Sequence, residues 1–329
     1  MPALVLTMGG PMTRPKRRVA PQTDSRARAE ALYRAAAAAR HAPAVDQAQP
    51  WRWRLTGAFL DLYLDRDRTA QGDTLTPGQA ALSCGIALHH ARLTLAARGW
   101  RVSVDRCPDP AAPLHLARLR IDGPAAASPG TARLARAIRL RNADPRSLSG
   151  EPLDQQDLRL LIRAFQSHDV RVHALRPDQI LALATAAAHA GDVTSAEARW
   201  HEELSLWAGG DRIVGAGERL RLPVRHAVHD RAATFLVLHG SGDDVRDWLY
   251  AGEALSAGWL AATQRGVSVL PLSAPVAQPA ARRALRSAVS ELDQPYAVLR
   301  LGRHALPAAP QARRLPVTQI IGRPLPLRG

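Results

Sequence analysis

The chain has 329 residues, 46% hydrophobic and 22% charged, which is the composition of one large or two ordinary globular domains. No uninterrupted apolar run reaches the length of about 18 residues that a transmembrane helix needs. The formal net charge is +15, yet every basic residue except Lys16 is arginine and the arginines are spread along the chain. Because this charge is diffuse and no zinc-finger or aromatic–basic signature accompanies it, we expect no dedicated nucleic-acid binding.

The N-terminus does not match an export signal, since its apolar stretch is short and its basic cluster follows that stretch. We interpret residues 1–24 as a flexible basic tail. Cys84 and Cys107 are too few for a disulfide framework, so a reduced cytoplasmic location is expected.

The first part of the chain predicts an α+β unit. Apolar spacing, a Gly-centred turn and a Gly helix stop indicate a helix at 25–41, a hairpin at 51–64, a long apolar helix at 77–98 and strands at 101–104 and 114–121. The Pro/Gly-rich segment 122–130 has the composition of a linker.

The rest of the chain predicts a second unit with the same ingredients. Helices are expected at 131–142, 154–167, 177–208, 244–265 and 279–290, and strands at 234–239, 267–272 and 296–301. Residues 209–231 are Gly-rich and basic with little periodicity, and the chain ends in a Pro/Arg-rich tail.

Two helical segments match each other. Gly85-Ile-Ala-Leu88 precedes Arg98-Gly99 at the same spacing as Gly252-Glu-Ala-Leu255 precedes Arg265-Gly266. Chance similarity between two Ala/Leu-rich helices is the alternative, but the shared glycines and following strands favour duplication. The sequence then predicts a tail at 1–24, a first half at 25–125 and a second half at 126–329, arranged like a homodimer within one chain.

Other chemical patterns are weak. His89 and His90 are adjacent and cannot face one metal from a helix, and His226 with His229 lacks a carboxylate or cysteine partner, so no metal site is predicted. Gly240-Ser-Gly242 follows a predicted strand but lacks the remainder of a dinucleotide fingerprint or a nucleophile elbow.

The loop after the first helix carries a resemblance. His41–Trp53 contains Ala42-Pro43 and Gln49-Pro50-Trp51 at the spacing of the A-P-S-x-x-N-x-Q-P-W loop typical of FMN-dependent nitroreductase-like proteins. The segments 82–100, 247–266, 299–302 and 310–316 resemble the core helices, last strand and arginine-containing turn of the family's fused, double-length Acg-type branch. The resemblance covers roughly residues 25–320.

This resemblance implies an α+β sandwich of two fused halves, a pseudo-dimer, with FMN between them. An Arg-rich segment and a basic residue near the C-terminus hold the flavin phosphate in the family, which maps onto Arg141, Arg146, Arg313 and Arg314. The loop and a backbone segment lie against the flavin, which adds the positions Pro43, Ala44, Gln47, Gln49, Leu272 and Ser273. Planar guanidinium groups suit a phosphate, and glutamine amides suit a flavin edge or ribityl hydroxyls.

The chain departs from the family pattern at several of these positions. Ala44 replaces Ser, Gln47 replaces Asn and Asp46 replaces the His usual in this branch. In the Arg-rich segment, Asn142 and Ala143 replace Arg and Ser/Thr. No comparable loop occurs at 184–207 and the Arg-rich counterpart near Ser25–Arg28 is poor, so the sequence predicts at most one FMN per chain.

Three functions remain open from the sequence. The first is an oxidoreductase that passes hydride from NADH or NADPH through FMN to a quinone, nitro compound or other small-molecule acceptor. The second is a non-enzymatic protein that binds or stores FMN, or has lost it. The third keeps the flavin but dehydrogenates a small molecule. Because one chain already resembles a dimer, we expect a monomer, with further dimerisation left open.

Overall fold

The computed structural model describes residues 21–70, 75–143, 152–180, 232–272, 274–277, 279–303 and 314–322. Within these residues no helix is long and apolar enough to cross a bilayer. The elements form one mixed sheet and one antiparallel sheet, with helices packed between and around them.

The first sheet takes four strands from the N-terminal part of the chain and a fifth, β9 (Ile321–Gly322), from the C-terminal part, in the order β3-β4-β2-β1-β9. Its helices and strands are α1 (Pro21–Ala39), a 3-10 turn (Val45–Gln47), β1 (Trp51–Thr56), β2 (Phe59–Leu64), α2 (Arg66–Ala70), α3 (Pro77–Ala97), β3 (Trp100–Arg106) and β4 (His115–Pro124). Gly57, with φ +57°, supplies the tight turn of the β1–β2 hairpin. Trp51 and Trp53 are fully buried and anchor β1 in the core.

The second sheet has the order β5-β6-β8-β7. The helices and strands that follow β4 along the chain are α4 (Pro129–Leu140), α5 (Gln155–Phe165), β5 (Arg171–Ala174), β6 (Thr234–Gly240), α6 (Val245–Gln264), β7 (Ser268–Leu272), α7 (Ala274–Ala277), α8 (Pro279–Ala288), β8 (Gln294–Gly302), α9 (Val317–Ile320) and β9 (Ile321–Gly322). The strand β9 leaves the C-terminal region and pairs in parallel with β1, through Trp53 and Ile321.

The observed elements confirm most of the sequence predictions. The helices α1, α3, α4, α5, α6 and α8 and the strands β1–β4 and β6–β8 lie within a few residues of their predicted bounds. The sequence missed five short elements, α2, α7, α9, β5 and β9, together with the 3-10 turn at Val45–Gln47, and it placed a linker where β4 still continues to Pro124. Most of the predicted helix 177–208 and all of 209–231 lie outside the described residues.

The two sheets share one strand order, because β3-β4-β2-β1 corresponds to β7-β8-β6-β5. This agrees with the predicted duplication. The correspondence of β5 with β1 also corrects one detail. The second-half counterpart of the loop before β1 is the short connection 166–170, and not residues 184–207.

The helices α3 and α6 begin and end in the same way. Each starts with a capping box, formed by Thr76 with Gln79 and by Asp244 with Asp247. Each is followed by a glycine with positive φ, Gly99 at +79° and Gly266 at +66°.

Helices α3 and α6 cross at two glycines. A Cβ on Gly85 would lie 2.2 Å from the Leu249 carbonyl oxygen, and one on Gly252 would lie 2.0 Å from that of Leu82. The two contacts are equivalent, because Gly85 and Leu82 in α3 lie 167 positions before Gly252 and Leu249 in α6. His89 and Ser256, also 167 apart, hydrogen bond across the same crossing at 2.8 Å. The contact is therefore self-complementary, as at a two-fold dimer interface.

We predict that Gly85→Ala or Gly252→Ala lowers the free energy of unfolding by about 1–3 kcal/mol or more, because the added methyl meets helix backbone. This loss outweighs the roughly 1 kcal/mol that alanine gains in a helix. Urea unfolding measures the difference. Gly130→Ala in α4, where the new Cβ would lie 3.7 Å from Ser128 Oγ, an ordinary van der Waals contact, is the matched control and should be neutral or stabilising. Equal stability of all three variants would contradict the close crossing.

Candidate cofactor site

The loop between α1 and β1 has an unusual backbone. Asp46, Gln47 and Gln49 all have φ near +50°, a left-handed conformation that non-glycine residues seldom adopt. The loop is fixed at both ends, since Val45 N–H donates to Ser83 Oγ at 3.2 Å and Ala42 is fully buried. Strain of this kind persists where the surrounding structure imposes it and is concentrated at functional sites.

A cavity of about 170 Å³ lies between this loop and the helix pair. One wall is the loop itself, and the opposite wall comes from the second half through β7. The lining residues are Pro43, Ala44, Val45, Asp46, Leu82, Ile86, Ala143, Leu255, Trp259, Leu270 and Pro271. The fold thus brings the first-half loop and the second-half strand end together across the α3–α6 crossing.

Next to this cavity, Arg141 is buried, and no described residue supplies a counter-charge to it. Only 4% of its surface is exposed, and its guanidinium lies 4.4 Å from the ring centroid of Trp259. Its Nη2 donates a long hydrogen bond of 3.4 Å to the His41 carbonyl, and its Nε has no acceptor in the part of the chain that the structure describes. Burial, followed by the charge of Arg314, lowers the pKa of Arg141 to about 9.

Other cations and unused donors surround Arg141. Burial lowers the pKa of Arg314, and burial together with Arg40, Arg139, Arg314 and Arg141 lowers the pKa of His41 to about 4. His90 is fully buried, and among the described residues neither of its ring nitrogens has a hydrogen-bond partner and Trp259 Nε1 has no acceptor. A buried cation without an anion is costly, so the described residues here form a site that an anion would complete.

The C-terminal segment that carries Arg314 is held on the first half. Gln49 Oε1 accepts from Leu315 N–H at 3.1 Å, beside Arg314. Arg68 donates to the carbonyls of Gln49 and Gln319, at 3.1 and 2.7 Å, and so links the loop to the same segment. The sequence analysis did not identify Arg68. Its only signal was its position four residues after the hairpin, which ends at Leu64.

The predicted site residues fall into three groups. Pro43 and Ala44 line the cavity, and Arg141 and Arg314 lie together beside it. Gln49 is used structurally through Leu315, Gln47 is exposed on the loop, and Leu272 is buried at the end of β7 while its neighbours Leu270 and Pro271 reach the cavity. The predicted positions Arg146, Ser273 and Arg313 lie outside the described residues.

The position related to this cavity by the helix crossing is filled by an ion-pair cluster. Under the shift of 167 residues, Ile86 corresponds to Glu253 and Trp259 corresponds to Arg92. Glu253 is 5% exposed and pairs with Arg92 and with Arg106 Nε, the latter at 2.7 Å. Burial raises the pKa of Glu253, but the hydrogen bond from Arg106 and the two positive charges lower it overall. The chain's own side chains thus occupy the second position.

Comparison with known proteins gives the class to which this fold and site belong. No protein-family model matches the chain. A Mycobacterium tuberculosis protein named "Putative NAD(P)H nitroreductase Rv3131" is 30% identical over 298 residues, covering 83% of this chain and 86% of the relative. A second protein of that organism, named "Putative NAD(P)H nitroreductase acg", is 30% identical over 284 residues, covering 79% of this chain and 85% of its own length.

Solved structures of nitroreductases also align with part of the chain. The nitroreductase with bound FMN from Bacteroides fragilis is 17% identical, with a TM-score of 0.39 over 57% of this chain and 96% of its own. The FMN-dependent nitroreductase NfnB from Mycobacterium smegmatis, in complex with NADPH, is 15% identical, with a TM-score of 0.36 over 53% and 88%.

The chain is a member of the nitroreductase-like class, with an α+β fold in two sheets. Within that class, its identity to the double-length relatives shows that it belongs to the family of NAD(P)H nitroreductases that includes acg.

The low pKa of His41 predicts a loss of stability in acid. The unfolded histidine, with a pKa near 6.5, binds a proton as the pH falls through 6.5, whereas the folded one stays neutral until about pH 4. Stability is therefore full above pH 6.5 and falls between pH 6.5 and 4. Because His41 is partly exposed, we expect at most about 1 kcal/mol from it.

Urea unfolding of wild type and His41→Gln at pH 7 and pH 5 measures this contribution. The variant should lose less stability between the two pH values, and His173→Gln, outside the cluster, serves as the control. A loss as large in His41→Gln as in wild type would show that His41 does not carry the effect.

Proposed function

We propose that the protein is an FMN-dependent oxidoreductase that takes hydride from NAD(P)H and reduces a small-molecule acceptor of the quinone or nitro type. The observation that carries the proposal is Arg141, buried beside the cavity without an anion among the described residues. Family membership makes a flavin phosphate the anion that best accounts for it. The names of the relatives and structural neighbours agree with NAD(P)H and FMN as cofactors.

Arg141 and Arg314 would hold the phosphate. A phosphate dianion is stabilised by several charged donors, and a guanidinium can offer two at once. Binding would give the orphaned Arg141 Nε an acceptor and would offset the mutual repulsion of the two arginines. Arg68 and Gln49 act as positioning residues, because they fix the segment in which Arg314 lies.

The apolar walls of the cavity would receive the flavin ring. Pro43 and Ala44 would lie on one side and Leu270 and Pro271 on the other, all apolar and free of groups that compete for a proton. Exposed Gln47 would offer an amide to the pyrimidine edge or the ribityl hydroxyls. When bound, the flavin supplies the electron-transfer chemistry, so the chain need provide only position, charge neutralisation and exclusion of water.

We also propose that the chain consists of two related halves with one flavin site. The first half (25–125) and the second half (126–329) would descend from one duplicated unit and form a monomer that resembles a dimer. Only one of the two related positions would bind flavin, because Glu253, Arg92 and Arg106 occupy the other.

One observation favours the second candidate, a protein that binds FMN without turnover or has lost it. The cavity of about 170 Å³ is smaller than the 300–1,000 Å³ usual for cofactor-sized ligands. A flavin must therefore displace side chains at the cavity rim or extend toward Arg141. The replacements at Ala44 and Asp46 lie on the same rim and support the same alternative.

The visible spectrum of the purified protein, before and after incubation with FMN and desalting, decides between the candidates. We expect flavin bands at one equivalent per chain, which NADH or NADPH should bleach. Two equivalents of flavin per chain would contradict the proposal that Glu253, Arg92 and Arg106 block the second position. One equivalent without bleaching would favour the binding protein, and no retained flavin would end the oxidoreductase proposal.

Arg141→Met and Arg314→Met test the phosphate assignment. Each should weaken FMN binding by about 1.5–3 kcal/mol, the value of a charged hydrogen bond. Arg141→Met should also stabilise the flavin-free protein by about 1 kcal/mol or more, because it removes an unpaired buried charge but keeps an aliphatic chain on Trp259.

Flavin fluorescence quenching and urea unfolding measure the two effects. Arg159→Met, an exposed arginine on α5, is the control for loss of one charge and should change neither quantity. Unchanged FMN affinity in both site variants would refute the assignment.

A further inference from the structure

A second cleft, of about 780 Å³, lies where the C-terminal ends of α1, α3 and α4 meet. Five arginines line it, namely Arg34, Arg40, Arg98, Arg136 and Arg139. His41 belongs to this cleft by its position in the lining and to the cofactor site by its carbonyl, which accepts from Arg141 at 3.4 Å. The two sites are therefore neighbours that share one residue.

The positive charge of this arginine cleft is only partly neutralised by the protein. Arg34 pairs with Glu30 at 2.6 Å. Arg40, Arg98 and Arg136 make no ion pair within the described residues, and the Nε of Arg40 is buried without an acceptor. No aspartate or glutamate is among the described residues that line the cleft.

Helix ends alone do not account for this charge. Three helix C-termini contribute about half a negative charge each, or roughly 1.5 charges, against the three guanidinium groups of Arg40, Arg98 and Arg136, which make no ion pair within the described residues. Arginines that serve such ends commonly donate to the last carbonyls. Within the described chain, Arg40, Arg98 and Arg136 donate no such hydrogen bond. A net positive cleft remains after the helix dipoles are counted.

The floor of the arginine cleft is apolar. Alanines from all three helices, Ile138 and Val317 form it, and Leu140 at its edge is 69% exposed, the most exposed large hydrophobic side chain among the described residues. A ligand that fits must combine several negative charges with an apolar, flat body. Guanidinium groups serve both parts, because they bind phosphates in bidentate fashion and stack on planar rings.

We propose that the arginine cleft binds a nucleoside carrying more than one phosphate group. Its volume lies within the range of sites for ligands of nucleotide size. Two sources offer this chemistry: the adenosine 2′,5′-bisphosphate portion of NADPH, or a free nucleotide that acts as an effector. The first source would make the arginine cleft the determinant of NADPH over NADH, which deepens the proposed function. The second is independent of it.

Direct binding of adenosine 2′,5′-bisphosphate to the full-length protein, measured by titration calorimetry, tests the arginine cleft without any redox turnover. Wild type should bind, with an affinity that falls as salt is raised. Arg98→Gln/Arg136→Gln should lose about tenfold or more, since two charged donors are removed. Two single-charge variants at Arg133 and Arg159, exposed positions that do not line the cleft, should lose little.

Absence of binding by wild type, or equal loss in the cleft variant and both controls, would overturn the proposal. Flavin content and urea unfolding of the cleft variant should match those of wild type. A loss of nucleotide binding at the arginine cleft is thereby distinguished from a loss of flavin binding at the cofactor site.

The source is identified by competition. Displacement of adenosine 2′,5′-bisphosphate by NADPH but not by NADH assigns the arginine cleft to the hydride donor, and the cleft variant should then raise the KM for NADPH alone. Displacement by neither dinucleotide assigns it to a free nucleotide.

Discussion

The close approach of α3 and α6 at Gly85 and Gly252 is the constraint on which the rest of this structure depends. Two helix backbones meet only where both lack side chains, and each glycine lies over a carbonyl of the other helix. Because the contact is self-complementary, it sets the two sheets around one centre. It also creates two related positions beside the crossing, and the chemistry of the protein lies in the difference between them.

That difference is electrostatic. At one position Arg141, His90 and Trp259 are buried with ring or guanidinium nitrogens that have no hydrogen-bond partner among the described residues, and no described carboxylate pairs with Arg141. At the other, Glu253 lies between two arginines and each charge has a partner. A buried charge is tolerated when it is paired and is costly when it is not. At the Arg141 position, a bound anion would therefore lower the electrostatic free energy of the buried cation. At the Glu253 position, the charges already pair with each other and need no ligand.

The site is assembled from distant parts of the chain. Its loop comes from residues 43–46, its strand wall from 270–271 and one of its cations from position 314. Three contacts to the backbone of this last segment hold it in place. The strand β9 pairs with the first sheet, the Gln49 side chain accepts from the Leu315 amide, and the Arg68 guanidinium donates to the carbonyls of both Gln49 and Gln319. Arg314 thus reaches the first half because the C-terminus is attached there.

The sequence alone determined the main helices and strands, because long apolar periodicities, capping residues and Gly stops are local signals. It also determined the repeat, since Gly85 and Gly252 recur with matched surroundings, and the loop that resembles the nitroreductases. The short elements β5 and β9 were missed because two to four residues carry too little pattern and depend on their sheet partners.

Only the tertiary structure decided the roles of individual polar residues. Arg141 is one of many arginines in the sequence, and nothing local separates it from a surface charge. Its burial against Trp259, 118 residues away, makes it a candidate ligand. Gln49 and Gln47 are equally good candidates for flavin contacts by residue type. In the fold, however, the Gln49 side chain accepts a hydrogen bond from Leu315 N–H, whereas Gln47 is exposed. Glu253 fills a related position only because the helix crossing brings Arg92 and Arg106 to it. Partners far apart in sequence set the charge environment of each side chain, so the fold had to be known before the site could be described.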